Sequence, residues 1–357
     1  MTDTKATPPA SPPPATPVHF EHSTGLGPLL ERLNLSVVVS TYQAGKLITV
    51  GTHEGKVDLR FHHFEQAMGV ARTPQGLAVG TKRQIWFLQG SAEIAPRVPP
   101  AGRYDVALLA RHAHFTGPVM GHEMAHADGE LWFLNTLFSC ACTLSPEYNF
   151  VPRWRPPFVT ALAAEDRCHL NGLAMENGRP RYVTALGETD TAGGWRANKA
   201  AGGCLIDVPA DRVVLRGLSM PHSPRVHRGR VLFLNSGRGQ VAAADPGRGT
   251  FEPVAELPGY TRGLDLHGQY AFVGLSRIRE TNVFGGLPIA ERRDELRCGL
   301  AVVDLDAGRT VATLQFKSGV EEVFEVKVLP GFRNPLVSGP LPDTDGTETI
   351  WMVPKPA

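Results

Sequence analysis

The 357-residue sequence lacks the features that define several common protein classes. No stretch approaches the roughly 18 apolar residues of a membrane span. The 36 basic residues almost balance the 35 acidic ones, so a net charge of +1 gives no reason to expect nucleic acid or a membrane surface as a partner. Only residues 27–34 have a clear helical pattern, whereas glycine and proline are abundant. This combination favours an all-β protein.

Cysteine is also scarce, and its five positions are an odd count without a second pair at zinc-ribbon spacing. We therefore expect reduced, structural thiols and a cytoplasmic protein. The first 17 residues contain six prolines and no apolar core of a signal peptide. Residues 1–20 are predicted to be a disordered, proline-rich leader, and residues 21–357 one folded domain.

Residues 121–135, GHEMAHADGELWFLN, contain the H-E-x-x-H spacing of zinc metalloproteases. That chemistry requires a helix, on which His122 and His126 would share one face. The sequence instead indicates a strand, because Gly129 follows closely and precedes the apolar run Leu-Trp-Phe-Leu. The pattern recurs in residues 222–235, HSPRVHRGRVLFLN, where a proline would cost a helix about 3 kcal/mol. We therefore interpret both segments as strand, turn and strand rather than as a protease motif.

The same unit recurs along the chain, each copy with two strands around a tight, glycine-containing turn. Repeats of this kind, separated by weaker strands, are typical of a β-propeller. We predict a single propeller, with seven blades preferred and six possible if the two ends of the chain share one blade. Residues 348–354, ETIWMVP, are expected to close the ring. The seven units are residues 34–51, 66–80, 121–135, 169–187, 222–235, 261–274 and 322–339.

Several of these motifs carry a resemblance: STYQAGKL, GHEMAHADGELWFLNTLFSC, HLNGLA, MPHSPR, LNSGRG, TRGLD and GLSRIRET. Together they resemble an uncharacterised bacterial family of conserved hypothetical proteins, a domain of unknown function of predicted β-propeller fold. The resemblance covers nearly everything after residue 20. It implies a propeller but no activity, so function must be inferred from the residues.

In a propeller, the first strand of every blade lines the central channel, so residues at one register form a ring. Aligned on their turn glycines, His122 and His222 occupy the same register, and the longer turns place His169 and Glu322 beside them. Three imidazoles and a carboxylate suit one divalent transition metal such as Fe, Zn or Mn. Two alternatives stay open. The histidines could cap strand ends, and Glu321, Glu325 or Glu123 could supply the carboxylate.

Further polar groups lie near this register. Arg262 is predicted to read an anionic substrate, with Asn171 and His126 as additional catalytic candidates. Two long insertions, residues 187–203 and 276–297, would overhang the same rim, and loops of this length are usually functional. Their candidate contact residues are Trp195, Arg196, Lys199, Arg277, Arg279 and Phe284.

These observations predict a metal-dependent enzyme acting on a small or peptide-like anionic substrate. Hydrolase or lyase chemistry and Fe-dependent oxygenase chemistry are both compatible with such a site. The alternative is a propeller scaffold that binds a protein partner, with the histidines in structural roles. No Walker lysine or G-x-S-x-G elbow offers a competing site. The sequence leaves the oligomeric state open.

Overall fold

Short, β-rich segments separated by tight turns give the chain 26 strands and one α-helix in a computed structural model, which describes residues 17–278 and 285–354. The predicted leader lies almost entirely outside the described residues. Within them, no helix is long and apolar enough to cross a bilayer.

The elements follow one another in a regular order. The N-terminal group is β1 (Phe20–His22), α1 (Leu26–Leu33), β2 (Leu35–Thr41), β3 (Lys46–His53) and β4 (Lys56–His63). Next come β5 (Val70–Thr73), β6 (Gly76–Gly80), β7 (Gln84–Ser91) and β8 (Val106–Phe115), then β9 (Gly121–Ala127), β10 (Glu130–Asn135), β11 (Cys140–Ser145) and β12 (Tyr148–Trp154). The following set is β13 (Leu170–Glu176), β14 (Arg179–Ala185), β15 (Gly203–Asp207) and β16 (Arg212–Leu218).

The second half continues the pattern. It comprises β17 (Pro221–His227), β18 (Arg230–Asn235), β19 (Gln240–Asp245) and β20 (Thr250–Glu256), then β21 (Tyr260–His267), β22 (Tyr270–Ser276), β23 (Cys298–Asp304) and β24 (Arg309–Phe316). The chain ends with β25 (Glu325–Pro330) and β26 (Pro335–Ser338). Short 3-10 segments cover Ala95–Arg97, Gly194–Asn198, Ser236–Arg238, Pro288–Glu295 and Pro342–Asp345.

The described strands form a propeller of six blades, each containing four consecutive antiparallel strands. Six inner strands, β25, β5, β9, β13, β17 and β21, pack side by side in a closed ring around the channel. The all-β propeller prediction is confirmed, with six blades in place of the preferred seven. The seven sequence units reduce to six blades because the first and last units share one: β25 is the innermost strand of the sheet that continues with β2, β3 and β4.

The ends of the chain close the ring in two further places. β1 adds an outer strand to the sixth blade by pairing with β24, and β26 pairs in parallel with β8 of the second blade. Residues 348–354, expected to form the closing strand, are instead irregular, with Ile350 and Met352 packed on the flank of the second blade. Helix α1 buries Leu26, Leu29 and Leu30 in the core between the sixth and first blades.

The repeated turns explain why the H-E-x-x-H segment is a strand. β9 and β10 are joined by Asp128 and Gly129, with φ of 50° and 80°, and β17 and β18 by Arg228 and Gly229, with φ of 50° and 74°. Two successive positive φ values define the type I′ hairpin turn, which matches the twist of paired strands. His122 and His126 therefore lie along a strand, and the protease interpretation is excluded.

Neighbouring inner strands are bridged by charged side chains, of which Glu123 is buried and Arg225 partly buried. Glu123 on β9 accepts a hydrogen bond from the Leu173 N–H of β13 at 2.8 Å, and Arg225 on β17 donates to the Leu173 carbonyl at 3.2 Å and pairs with Glu123. Side chains of two blades thus bind the backbone of the blade between them. Buried backbone groups need such partners.

The same arrangement recurs three blades away. Asp265 on β21 accepts a hydrogen bond from the Val328 N–H of β25 at 2.9 Å, while Arg72 on β5 donates to the Val328 carbonyl at 2.7 Å. Arg72 and Asp265 also form an ion pair at 2.8 Å. The ring therefore contains two interblade clamps on opposite sides, each made of an acid, a backbone amide and an arginine.

Candidate functional site at one end of the channel

The inner strands begin at one end of the channel, where they enclose a cavity of about 420 Å³. All three predicted histidines line it, because His122 and His222 are the second residues of β9 and β17 and His169 directly precedes β13. Most of the rest of the wall is aromatic or apolar. Its members include Tyr42, Trp195, Tyr260, Phe324, Met68, Met120 and Met220.

His122 is fixed through its Nδ1 atom, which lies 2.9 Å from the Met120 carbonyl and 2.7 Å from the Thr136 hydroxyl. Since a carbonyl can only accept, Nδ1 carries the proton. Thr136 donates its own hydrogen to the Leu170 carbonyl at 2.6 Å, so it accepts from His122. In a neutral ring, the basic nitrogen of His122 is therefore Nε2.

His222 repeats this geometry one hundred residues later. Its Nδ1 lies 2.9 Å from the Met220 carbonyl and 3.0 Å from the Ser236 hydroxyl. Met120 and Met220 both adopt left-handed backbone conformations, with φ of 53° and 46°. Such conformations cost a non-glycine residue about 1 kcal/mol or more and cluster at functional sites. Here the two residues in this conformation, Met120 and Met220, are the ones whose carbonyls accept hydrogen bonds from the His122 and His222 rings.

His169 is oriented by a carboxylate instead. Both oxygens of Asp166 lie 3.0 Å from His169 Nδ1, and the Asp166 side chain is buried. His169 also contacts His122 edge to face, with 4.9 Å between the ring centroids. A carboxylate on Nδ1 leaves Nε2 as the nitrogen that faces away from Asp166 and can accept a proton or bind a metal. This geometry suits a general base or a metal ligand.

Burial lowers the pKa values of His122 and His222 well below that of a free histidine. Electrostatic repulsion adds to the effect, chiefly from His169 and Arg262 on His122 and from Arg262 on His222. Desolvation disfavours the charged ring because an imidazolium loses more hydration than an imidazole. Both rings are therefore neutral at physiological pH, the state that metal coordination and hydrogen-bond acceptance require.

Arg262, on β21, lines the same cavity as these rings. Its guanidinium carbon is 3.6 Å from the centroid of Phe324, and Nη2 donates to His122 Nε2 at 3.1 Å. Burial lowers the pKa of Arg262, although Glu322 acts in the opposite direction. The cation thus binds a neutral ring nitrogen and an aromatic face, and an anion entering the cavity would interact with it favourably.

The first insertion reaches the cavity as predicted. Trp195 packs against His169 with 4.5 Å between the ring centroids and a tilt of 46°, and the Arg196 guanidinium lies over the Trp195 ring. Lys199 does not line the cavity. The second insertion packs behind Trp195 through Leu287 and Ile289. Arg277 lines a smaller neighbouring pocket. Arg279 and Phe284 lie outside the described residues.

The other predicted site residues lie elsewhere. Glu322 lines the small pocket next to the cavity, together with Arg262. Asn171 is buried and accepts a hydrogen bond from Thr184 at 2.7 Å. His126 lies at the far end of β9, in pockets near the opposite mouth of the channel. Glu123 and Glu325, considered as alternative carboxylate ligands, belong to the buried charge cluster with Arg225 and Lys327.

The three histidines fit a metal site in ligand type and tautomer but not in their present spacing. Within residues 17–278 and 285–354, no three His, Cys, Asp or Glu side chains form a group that could hold a metal ion. Arg262 also bonds to the nitrogen that His122 would offer. A metal would therefore require Arg262 to move away from that nitrogen.

Sequence reasoning missed the groups that orient the rings, Asp166, Thr136 and Ser236. A signal for two of them was present. The strands after the turns end in Phe-Leu-Asn-Thr and Phe-Leu-Asn-Ser, which place a hydroxyl fourteen residues after each histidine. The aromatic wall formed by Tyr42, Tyr260 and Phe324 carried no periodic signal that would have assigned it to the cavity.

Comparisons with known proteins extend the description of the fold. A chain of a nidogen/laminin complex is similar at 9% identity, with a TM-score of 0.50 over 83% of this chain and 99% of that chain. A protein of unknown function from Bacteroides caccae has 10% identity and a TM-score of 0.48, over 83% and 99%. Virginiamycin B lyase from Staphylococcus aureus has 9% identity and a TM-score of 0.42, over 78% and 76%. The first of these similarities supports the propeller fold alone.

No curated protein matches the sequence. A family match, by contrast, covers most of the chain, since residues 24–337 fit the family described as a domain of unknown function, DUF4915. The match spans all six inner strands and every residue of the cavity wall named above. The chain belongs to the DUF4915 family.

Proposed function

We propose that the channel cavity is the active site of an enzyme that acts on a small organic anion with a planar, apolar body. The observation that carries this proposal is Arg262, a partly buried cation that contacts a neutral imidazole and the face of Phe324. Two further cations, Lys82 and Arg196, stand at the rim, and the wall contains no carboxylate among the described lining residues. An anion would be attracted to the rim and bind at Arg262.

The aromatic cavity wall is the reason to propose a substrate with a planar, apolar body. Rings of Tyr42, Phe324, His122, His169 and Trp195 follow one another with centroid distances of 4.5–6.2 Å. Aromatic surfaces of this kind favour stacked or edge-to-face contacts with another ring. His169, held by Asp166, would act as the general base on such a substrate. Because His122 and His222 are deeply buried, a small molecule reaches them more readily than a protein surface does.

Calorimetric titration with benzoate and benzamide tests the proposal, because the two probes share a ring and differ in charge. We expect benzoate to bind at least about tenfold more tightly than benzamide, reflecting one charge-assisted contact with Arg262. Equal affinities for the two probes, or no saturable binding of benzoate at millimolar concentrations, would contradict an anion site. A positive result would then justify a search for turnover with larger aromatic acids.

A second candidate is a metalloenzyme, and the three equivalent imidazoles favour it specifically. His122, His169 and His222 each have Nδ1 held by an oxygen, which is how proteins orient histidine ligands of Zn, Fe or Mn. Glu322 would have to turn from the neighbouring pocket into the cavity to supply the carboxylate ligand. The metal would supply Lewis acid chemistry for a hydrolase or lyase, or dioxygen chemistry if it is Fe(II).

This candidate predicts that protein purified without a histidine tag contains close to one equivalent of Fe, Zn or Mn. His169→Ala should then lower the occupancy at least about tenfold, because one inner-sphere bond is lost. His126→Ala is the matched control, since His126 lies near the opposite mouth of the channel. Elemental analysis by mass spectrometry gives the answer. Unchanged metal in a variant lacking all three histidines would place any metal elsewhere.

The remaining alternative, a scaffold for a protein partner, would use the rim and leave the cavity floor unused. We also propose a cytoplasmic location. All five cysteines are buried free thiols, which suits a reducing compartment.

A further inference from the structure

Asp166 is the point at which the first insertion and a cavity histidine meet. One of its oxygens, Oδ2, accepts hydrogen bonds from Trp195 Nε1 at 3.0 Å and Arg196 Nη2 at 3.4 Å. The same carboxylate accepts from His169 Nδ1. A single buried carboxylate therefore joins the imidazole to the two insertion residues that line the cavity.

The backbone around Asp166 is shaped for this role. Asp166 and His169 both adopt left-handed conformations, with φ of 48° and 52°. Both residue types occupy this region more often than most non-glycine residues, but the conformation still costs about 1 kcal/mol or more. The result is that both side chains face each other across a short turn rather than following the register of β13. Strain of this kind is retained where the surrounding contacts compensate for it.

The insertion has a second, outer anchor that does not involve His169. Asp190 accepts hydrogen bonds from the Thr160 N–H and hydroxyl at 3.0 and 2.6 Å and from Arg167 at 2.7 Å. The inner anchor at Asp166 and the outer anchor at Asp190 can therefore be removed separately. This separation makes the function of Asp166 testable.

We infer that Asp166 is a positioning residue that fixes the Nδ1–H tautomer of His169 and simultaneously holds Trp195 closed over the cavity. Release of the insertion and loss of the reactive His169 tautomer would then occur together, so the base would be correctly oriented only when the cavity is covered. For its consequence in catalysis the inference rests on the proposed function. Its test does not, because tautomer and closure are measurable without substrate.

The experiment uses the full chain labelled with ¹⁵N in histidine and tryptophan side chains. In Asp166→Asn, we expect His169 to populate the Nε2–H form, because an amide no longer requires a donor at Nδ1. The indole N–H of Trp195 should exchange with solvent at least about tenfold faster once its charged acceptor is gone. His122 and His222 serve as internal controls, since their Nδ1 partners are unchanged.

Two further variants separate positioning from general loosening. Asp190→Asn should free the outer part of the insertion while leaving the His169 tautomer and the Trp195 exchange rate within about twofold of the wild type. Trp195→Phe should leave the His169 tautomer intact, because Asp166 still accepts from Nδ1. An unchanged His169 tautomer in Asp166→Asn overturns the inference. Equal tautomer changes at His122 and His222 would do the same, since they indicate collapse of the whole cavity.

Discussion

Arg225→Met is expected to lower the free energy of unfolding by about 3 kcal/mol or more, because breaking a buried ion pair leaves an uncompensated charge. Glu123 and Glu325 are both buried and both face the Arg225 guanidinium. Burial alone would lower the pKa of Arg225, but these two carboxylates raise it above its usual value. Burial raises the pKa of Glu325 to about 7, and the neighbouring Lys327 acts in the opposite direction. The substitution also removes the donor to the Leu173 carbonyl.

Urea denaturation measures this effect as a shift in midpoint with an unchanged slope. Arg230→Met is the control, because Arg230 forms an exposed pair with Glu252 that contributes about 0–1 kcal/mol. The double variant Glu123→Gln, Arg225→Met should recover part of the loss, since both members of the pair are then neutral. If Arg225→Met were no more destabilising than Arg230→Met, the clamp would have no role in closing the ring.

The blade number illustrates what sequence periodicity can and cannot determine. The hairpin units around Gly129 and Gly229 are recognisable because type I′ turns require specific residues. Their assembly into blades depends on pairing between the two ends of the chain: β25 pairs with β2 across the whole chain, from Leu35 with Pro330 to Ser40 with Glu325. No local pattern encodes that pairing. The alternative with one shared blade was therefore correct for a reason that only the structure supplies.

The placement of His122, His169 and His222 around one cavity was predictable, because the register of a residue in its strand is a local property. His122 and His222 share a register, and the ring converts that equivalence into proximity. The same reasoning fails for His126, which shares the strand with His122 but lies four residues further, about 13 Å along the channel. It also fails for Glu322, because the irregular segment before β25 directs it to a neighbouring pocket.

The two ends of the channel therefore have different chemistry on the same six strands. At the end where the strands begin, neutral imidazoles and aromatic rings surround Arg262. Farther along, acids and bases pair with each other and with the backbone, so their charges are already satisfied. A ligand gains most from the first end, where Arg262 contacts a neutral imidazole and an aromatic face and, among the described residues, forms no ion pair within 4 Å, although Glu322 acts on it from the neighbouring pocket. This contrast makes Arg262 the residue whose loss should matter most for binding.

Arg262→Met should weaken benzoate binding by roughly tenfold to a hundredfold, the range expected for loss of a desolvated, charge-assisted contact of about 1.5–3 kcal/mol. Benzamide should be unaffected, since methionine preserves the apolar contact with Phe324. Lys82→Met is the matched control, because Lys82 lines the same cavity but pairs with Glu65 at the exposed rim. Its loss should weaken benzoate binding by less than about threefold.

Calorimetry on the same preparations, followed by metal analysis, also separates the two functional candidates. Removing the guanidinium frees His122 Nε2, so a metal centre predicts higher metal occupancy in Arg262→Met than in the wild type. A metal-free anion site instead predicts weaker benzoate binding in Arg262→Met, with background metal content in both the wild type and the variant. If Arg262→Met binds benzoate as tightly as the wild type does, Arg262 does not bind the anion. The main support for an anionic substrate is then lost.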